Sequence, residues 1–99
     1  MTIVNAGGIK ITAIEYSDRF KKDFKKLTLQ YKELFRLKIR RLYEEPLPSG
    51  LRFEKLSGYR NPYIYTIHLE GNYKVSMTID GTVVLLRRIG NHDKIDRTP

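Results

Sequence analysis

Six side chains in the second half of this 99-residue chain are of the types that cleave a phosphodiester: His92, His68, Glu54, Arg88, Arg87 and Lys74. Metal-free cleavage of RNA needs three roles. A base takes the proton from the ribose 2′-OH, cations stabilise the dianionic phosphorane, and an acid protonates the leaving 5′-oxygen. His92 follows the arginine-ended stretch LLRRIGNHD (85–93), and an unperturbed pKa of about 6.5 suits it to the role of acid. His68 or Glu54 would be the base, and Lys74, Arg87 and Arg88 the cations. Two histidines with no cysteine and no clear third ligand argue against a metal site, so no metal or cofactor is expected. Each residue alone is weak evidence. Histidines are often partly buried at surfaces, and Glu70 or Asp93 could simply neutralise the cations.

Strands must carry most of these residues. LRFEKL (51–56), YIYTIHL (63–69), NYKVSMTI (72–79) and TVVLLRRI (82–89) read as four antiparallel strands. Asp80-Gly81 signals a two-residue hairpin of type I′, which sets Lys74 opposite Arg87, Ser76 opposite Leu85 and Thr78 opposite Val83. For the turn at 70–72, a three-residue loop with a bulge keeps apolar residues together. It pairs Leu69 with Tyr73, Ile67 with Val75 and His68 with Lys74. One polar row, His68–Lys74–Arg87, is then expected across three strands. Like charges directly opposite each other are unfavourable, which points to an anion between Lys74 and Arg87.

Upstream, IKITAIEY (9–16) reads as a first strand and Ser17 or Asp18 as the cap of a helix. Phe20, Phe24, Leu27 and Tyr31 make one apolar stripe, with Lys21, Lys22, Lys25 and Lys26 on the other sides. A second helix over about 32–45 places Phe35, Ile39, Leu42 and Tyr43 on one face, which Leu37 does not fit. The join at 29–31 implies an antiparallel helical hairpin, and EEPLPSG (44–50) ends it.

Charge is concentrated in that hairpin. Ten Lys or Arg against Asp23 and Glu33 lie between residues 19 and 41, so this stretch carries the whole net charge of +8. Such a field attracts polyanions, nucleic acid above all, although a basic helix face also serves solubility. The candidate RNA-binding residues are Lys21, Lys22, Lys25, Lys26, Arg40 and Arg41 on the hairpin, with Tyr59, Arg60 and Tyr73 near the strands. Of the tyrosines, Tyr65 and Tyr73 read mainly as core and Tyr59 as a loop aromatic. The length suits one domain over residues 1–99, with 1–8 as a flexible segment. The absence of cysteine fits a reducing cytoplasm. No signal peptide or membrane-spanning run is legible.

The order strand, basic helical hairpin, antiparallel meander resembles the RelE/ParE toxin superfamily, most closely its YafQ-like members. The resemblance covers residues 10 to 96 and rests on EKLSGYR (54–60), HLEGNY (68–73) and RRIGNHDKID (87–96). It implies an α+β fold of the order β-α-α-β-β-β-β. It also implies the toxin of a type II toxin–antitoxin system: a metal-independent endoribonuclease that cuts mRNA on the ribosome. Attack by the 2′-OH would give a 2′,3′-cyclic phosphate. The implied partners are a cognate antitoxin, mRNA and the ribosomal A site. The arginine and histidine that end the last strand, Arg88 and His92, would belong to the active site.

Four departures qualify the resemblance. Glu54 stands where the family has histidine, Asn72 where it has aspartate, and Asp96 where it has an aromatic. One extra residue separates Gly58 from His68. Two alternatives follow: a ParE-like inhibitor of DNA gyrase, or an RNA-binding member with weakened catalysis. The histidine of the Arg-x-Gly-x-His frame favours the nuclease.

Overall fold

The structure, a computed structural model, describes the backbone of residues 2–3 and all of residues 10–44 and 47–99. Its elements in chain order are β1 (Thr2–Ile3), β2 (Ala13–Tyr16), α1 (Asp18–Lys25), α2 (Leu29–Ile39), β3 (Glu54–Lys55), β4 (Tyr65–His68), β5 (Tyr73–Asp80), β6 (Val83–Asn91) and α3 (His92–Arg97). Two 3₁₀ turns, Arg40–Tyr43 and Ser49–Leu51, lie between α2 and β3. One six-stranded sheet has the order β1-β3-β4-β5-β6-β2. It is antiparallel except where β2 runs parallel to β6. The expected α+β order holds, with β1 and α3 in addition. Of the segment 1–8, Thr2–Ile3 pair with β3, and the rest lies outside the described residues.

The helical hairpin forms because two hydroxyls cap its helices. Ser17 accepts from the Phe20 N–H at 3.0 Å, and Thr28 accepts from the Tyr31 N–H at 3.4 Å. Each cap holds a donor that the first helical turn leaves unpaired. Thr28 therefore starts α2 three residues before the expected 32, and the join is Lys26–Thr28 rather than 29–31. The helical part of the apolar stripe packs as expected. Phe20 lies 5.3 Å from Phe35, and Phe24 meets Phe35 edge-on at 5.4 Å, between ring centroids. These rings cover the sheet face formed by Ile67, Val75, Met77, Val84, Leu86 and Ile89. Leu37, which fits no buried face by spacing, is exposed.

Three strands are shorter than their sequence suggests, the one expected over 63–69 being Tyr65–His68. The first begins at Ala13, with Ile11 buried ahead of it. The third is only Glu54–Lys55, because Ser49–Leu51 turn and Arg52 then takes a left-handed conformation at φ 51°. A strand cannot run through that backbone.

The β5–β6 register corrects the expected one. Gly81 has φ 63° as a tight turn requires, but Asp80 pairs with Val83, so the loop is Gly81–Thr82. Ile79 then meets Val84 and Met77 meets Leu86, where the expected register set Ile79 opposite Thr82 and Met77 opposite Val84. Between Ser76 and Met77 the ladder shifts, leaving Arg87 as the extra residue of a bulge. Lys74 is consequently opposite Gly90, not Arg87, and Ser76 is opposite Arg88 rather than Leu85. The turn at 70–72 agrees with expectation. Ile67 pairs with Val75 and His68 with Lys74, and the Leu69 N–H donates to the Tyr73 carbonyl.

Candidate active site

Residues directly opposite in adjacent strands share a face. The observed registers therefore line up Glu54, Thr66, Ser76 and Arg88 across four strands, with His68, Lys74 and Gly90 beside them. All seven lie on the sheet face opposite the aromatic core. The bulge is what puts Arg88 there. Leu86 faces the core, and plain alternation would send Arg88 the same way. The extra residue at Arg87 turns it over, and lets Ile89 return to the core opposite Val75.

Arg88 is fixed by α1. Its Nε donates to Asp23 Oδ2 at 3.0 Å and its Nη2 to Asp23 Oδ1 at 3.1 Å. Asp23 Oδ2 also accepts the Ile89 N–H. Burial alone would raise the Asp23 pKa, but the Arg88 and Ile89 hydrogen bonds and the charges of Arg88 and Lys94 outweigh it and hold the carboxyl below its usual range. Ser17 anchors the same corner, its Oγ donating to the Arg87 carbonyl at 2.9 Å. Arg88 Nη1 donates to the Thr98 carbonyl and to Thr98 Oγ1.

Lys74 is 2% exposed, and its Nζ lies 2.9 Å from Asp96 Oδ1. The other oxygen of Asp96 stands 3.8 Å from His92 Nδ1, and Asp93 Oδ1 stands 3.3 Å from the same atom. His92 begins α3 and its backbone N–H donates to the Asn72 carbonyl. Asp96 thus bridges the polar face to His92. His68 sits beside Lys74. Burial first, then the charges of Lys74 and Arg52, push its pKa below the ordinary imidazole value, so it is neutral at pH 7. Its Nε2 is buried with no hydrogen-bond partner among the described residues, as are Glu54 Oε2, Thr66 Oγ1 and Ser76 Oγ. Glu54 is buried, with Arg52 Nη2 3.8 Å from its other oxygen.

Five of the six candidate catalytic residues are therefore brought together, and Arg87, at the bulge, is set apart from the row. Its Nε is buried without a hydrogen-bond partner among the described residues. The expected pairing of Lys74 with Arg87 does not form; carboxylates stand beside the two buried cations instead, Asp96 beside Lys74 and Asp23 beside Arg88. Sequence reasoning missed Thr66, Ser76 and Asp23. The first two lie two residues from His68 and Lys74, hence on the same strand faces. Asp23 is the single carboxylate within the basic α1 stretch 19–26.

The candidate RNA-binding residues divide. Lys21, Lys25 and Arg40, with Arg36, rim a groove of about 540 Å³ floored by Tyr16, Phe20, Phe24, Phe35 and Ile39. Lys22 and Lys26 are exposed, outside the residues that line this groove. Arg41 pairs with Glu44 at 3.5 Å, and Arg60 is exposed on its loop. The Tyr59 hydroxyl donates to the Arg97 carbonyl. Tyr73 stacks on Tyr31 at 3.9 Å, which takes one face of its ring, and Tyr65 stacks on Phe53. Among the described residues no three of His, Cys, Asp and Glu form a metal-binding group, and no helix is long and apolar enough to cross a membrane.

Solved structures share this architecture. A chain of the RelB–RelE antitoxin–toxin complex from Methanococcus jannaschii is 26% identical, with a TM-score of 0.67 over 86% of this chain and 99% of that one. This is the RelE toxin fold. The Escherichia coli DinJ–YafQ toxin–antitoxin complex contains a chain with the same RelE-type fold at TM-score 0.68, 22% identical over 88% of this chain and 98% of that one. The intact E. coli RelBE complex gives 0.60 at 26% identity, over 79% of this chain and 93% of that one. No protein-family model matches the sequence, and no curated protein matches it closely. The likeness to these RelE and YafQ chains is carried by the fold.

Proposed function

We propose that this protein is the toxin of a type II toxin–antitoxin system and acts as a metal-independent, ribosome-dependent mRNA endoribonuclease. One observation carries the reading: His68, Lys74 and Arg88 share a sheet face that Asp96 links to His92. The fold likeness to chains solved in antitoxin–toxin complexes supports the toxin role and an antitoxin partner.

His68 is the general base. It is neutral at pH 7, and its Nε2 is without a protein partner among the described residues, so it can take the proton of a ribose 2′-OH. The 2′-oxygen attacks phosphorus as the bond to the 5′-oxygen breaks. His92 protonates that oxygen, leaving a 2′,3′-cyclic phosphate and a 5′-hydroxyl. Carboxylates flank His92 Nδ1, which orients the ring and leaves Nε2 for the leaving group. Lys74 and Arg88 stabilise the phosphorane. Glu54, buried beside Thr66, keeps the face polar. Lys22, Lys26 and Arg60 meet the RNA backbone. The groove rimmed by Lys21, Lys25, Arg36 and Arg40 suits an acidic amphipathic segment of the antitoxin.

The test is an in vitro translation reaction with mRNA 5′ ends mapped by primer extension. New ends on translating ribosomes that vanish with His92→Ala support the nuclease. Intact mRNA from folded protein refutes it, and cuts on naked RNA remove the ribosome from the mechanism.

A further inference from the structure

Resting on the ribonuclease reading, we infer that Asp96 to Thr98 occupy the positions substrate phosphate would take, and that RNA reaches Lys74 and Arg88 only by displacing them. A guanidinium has five N–H groups. Arg88 gives two to Asp23, through Nε and Nη2, and directs Nη1 to the Thr98 carbonyl and hydroxyl. One N–H remains, on Nη2. A forked grip on phosphate takes two parallel N–H groups. Asp23 covers the Nε–Nη2 edge, so the remaining fork, Nη1 with Nη2, opens only when Thr98 leaves. Lys74 shows the same pattern, its ammonium already facing the Asp96 carboxylate. Two residues of the same C-terminal turn thus serve the two cations assigned to phosphate.

The two sides of Arg88 are not equivalent. Asp23 is buried, sits in α1 and holds the Ile89 N–H as well as Arg88, so it belongs to the fixed frame. Asp96 and Thr98 are exposed and lie at the end of a six-residue helix. The last buried residue of that helix is Ile95, whose Cδ1 would lie 3.9 Å from a Cβ placed on Gly90. The displaceable unit therefore begins after Ile95. Its movement would also withdraw a carboxylate from His92, so phosphate entry and release of the acid are one event.

The test uses the full chain and a short single-stranded RNA with 2′-deoxy substitutions that prevent cleavage. Amide hydrogen exchange is followed with and without it. Displacement predicts faster exchange over residues 96–98 on RNA binding, the Thr98 N–H to Lys94 carbonyl bond being lost, while the segment around His68 to Tyr73 slows. In parallel, Asp96→Asn should bind this RNA about two- to fivefold more tightly than the parent. If 96–98 are protected when RNA binds, or if a folded Asp96→Asn binds no more tightly, the inference is overturned while RNA binding itself stands. If neither folded protein binds this free RNA, the inference is overturned, while the ribosome-dependent nuclease reading stands or falls on the translation assay.

Discussion

At the residue scale, the assignment of the base turns on His68. Burial and the neighbouring Lys74 and Arg52 lower the His68 pKa, so the proposed base stays unprotonated to a lower pH than a free imidazole would. The acid limb of kcat/KM should therefore lie below about pH 6.5. His68→Ala should cost about 10²- to 10⁴-fold in cleavage at pH 7 and remove that limb. Glu54→Gln should leave it in place, which separates the two candidate bases in one pH series. Stability follows the same shift. A folded histidine with a lowered pKa contributes stability that is full above about 6.5 and is lost as pH falls through the folded value, because the unfolded chain then binds the extra proton. His68→Gln should flatten that acid-side loss in urea titrations.

At the element scale, a bulge and two anchors decide where the polar face begins. Asp23→Asn leaves the buried Arg88 guanidinium without its counter-charge and should destabilise the protein by about 3–5 kcal/mol in denaturant titrations. Because the folded Asp23 pKa is lowered, the stability it contributes is present above about pH 3.9 and lost as pH falls through the folded value. Ser17→Ala loses both the α1 cap and the bond to the Arg87 carbonyl, and should cost about 1–2 kcal/mol. The chain order of the helices and meander strands and the 70–72 turn were legible in the sequence, the turn because only one of its two registers keeps the apolar residues together; the parallel pairing of β2 with β6 was not. The apolar stripe of α1 was legible. The β5–β6 register was not. Asp80-Gly81 marks a turn but does not say which two residues form the loop, and a bulge has no period to read. The residue types of the candidate site, His68, Lys74, Arg88 and His92, could be read from the sequence, but their arrangement could not. Arg88 reaches the polar face through that bulge, and Asp23, Asp96 and Thr98 meet it only by tertiary packing.

At the scale of the whole molecule, the +8 charge is one field with two surfaces under it. Lys21, Lys25, Arg36 and Arg40 surround an apolar groove, where a phosphate chain would meet aromatic rings instead of water. Lys22 and Lys26 are exposed away from the groove lining and are better placed to track a polyanion. Binding of single-stranded nucleic acid loses about 0.7 in the slope of log K against log salt for each phosphate contact removed. Lys22→Gln with Lys26→Gln should therefore flatten the salt dependence of RNA binding, measured by fluorescence anisotropy, by up to about 1.4. His92→Ala, which alters proton transfer but not the lysine field, should leave the slope unchanged. A slope insensitive to both lysines would move the RNA path to the groove side of α1, and Lys21→Gln with Lys25→Gln would then carry the loss.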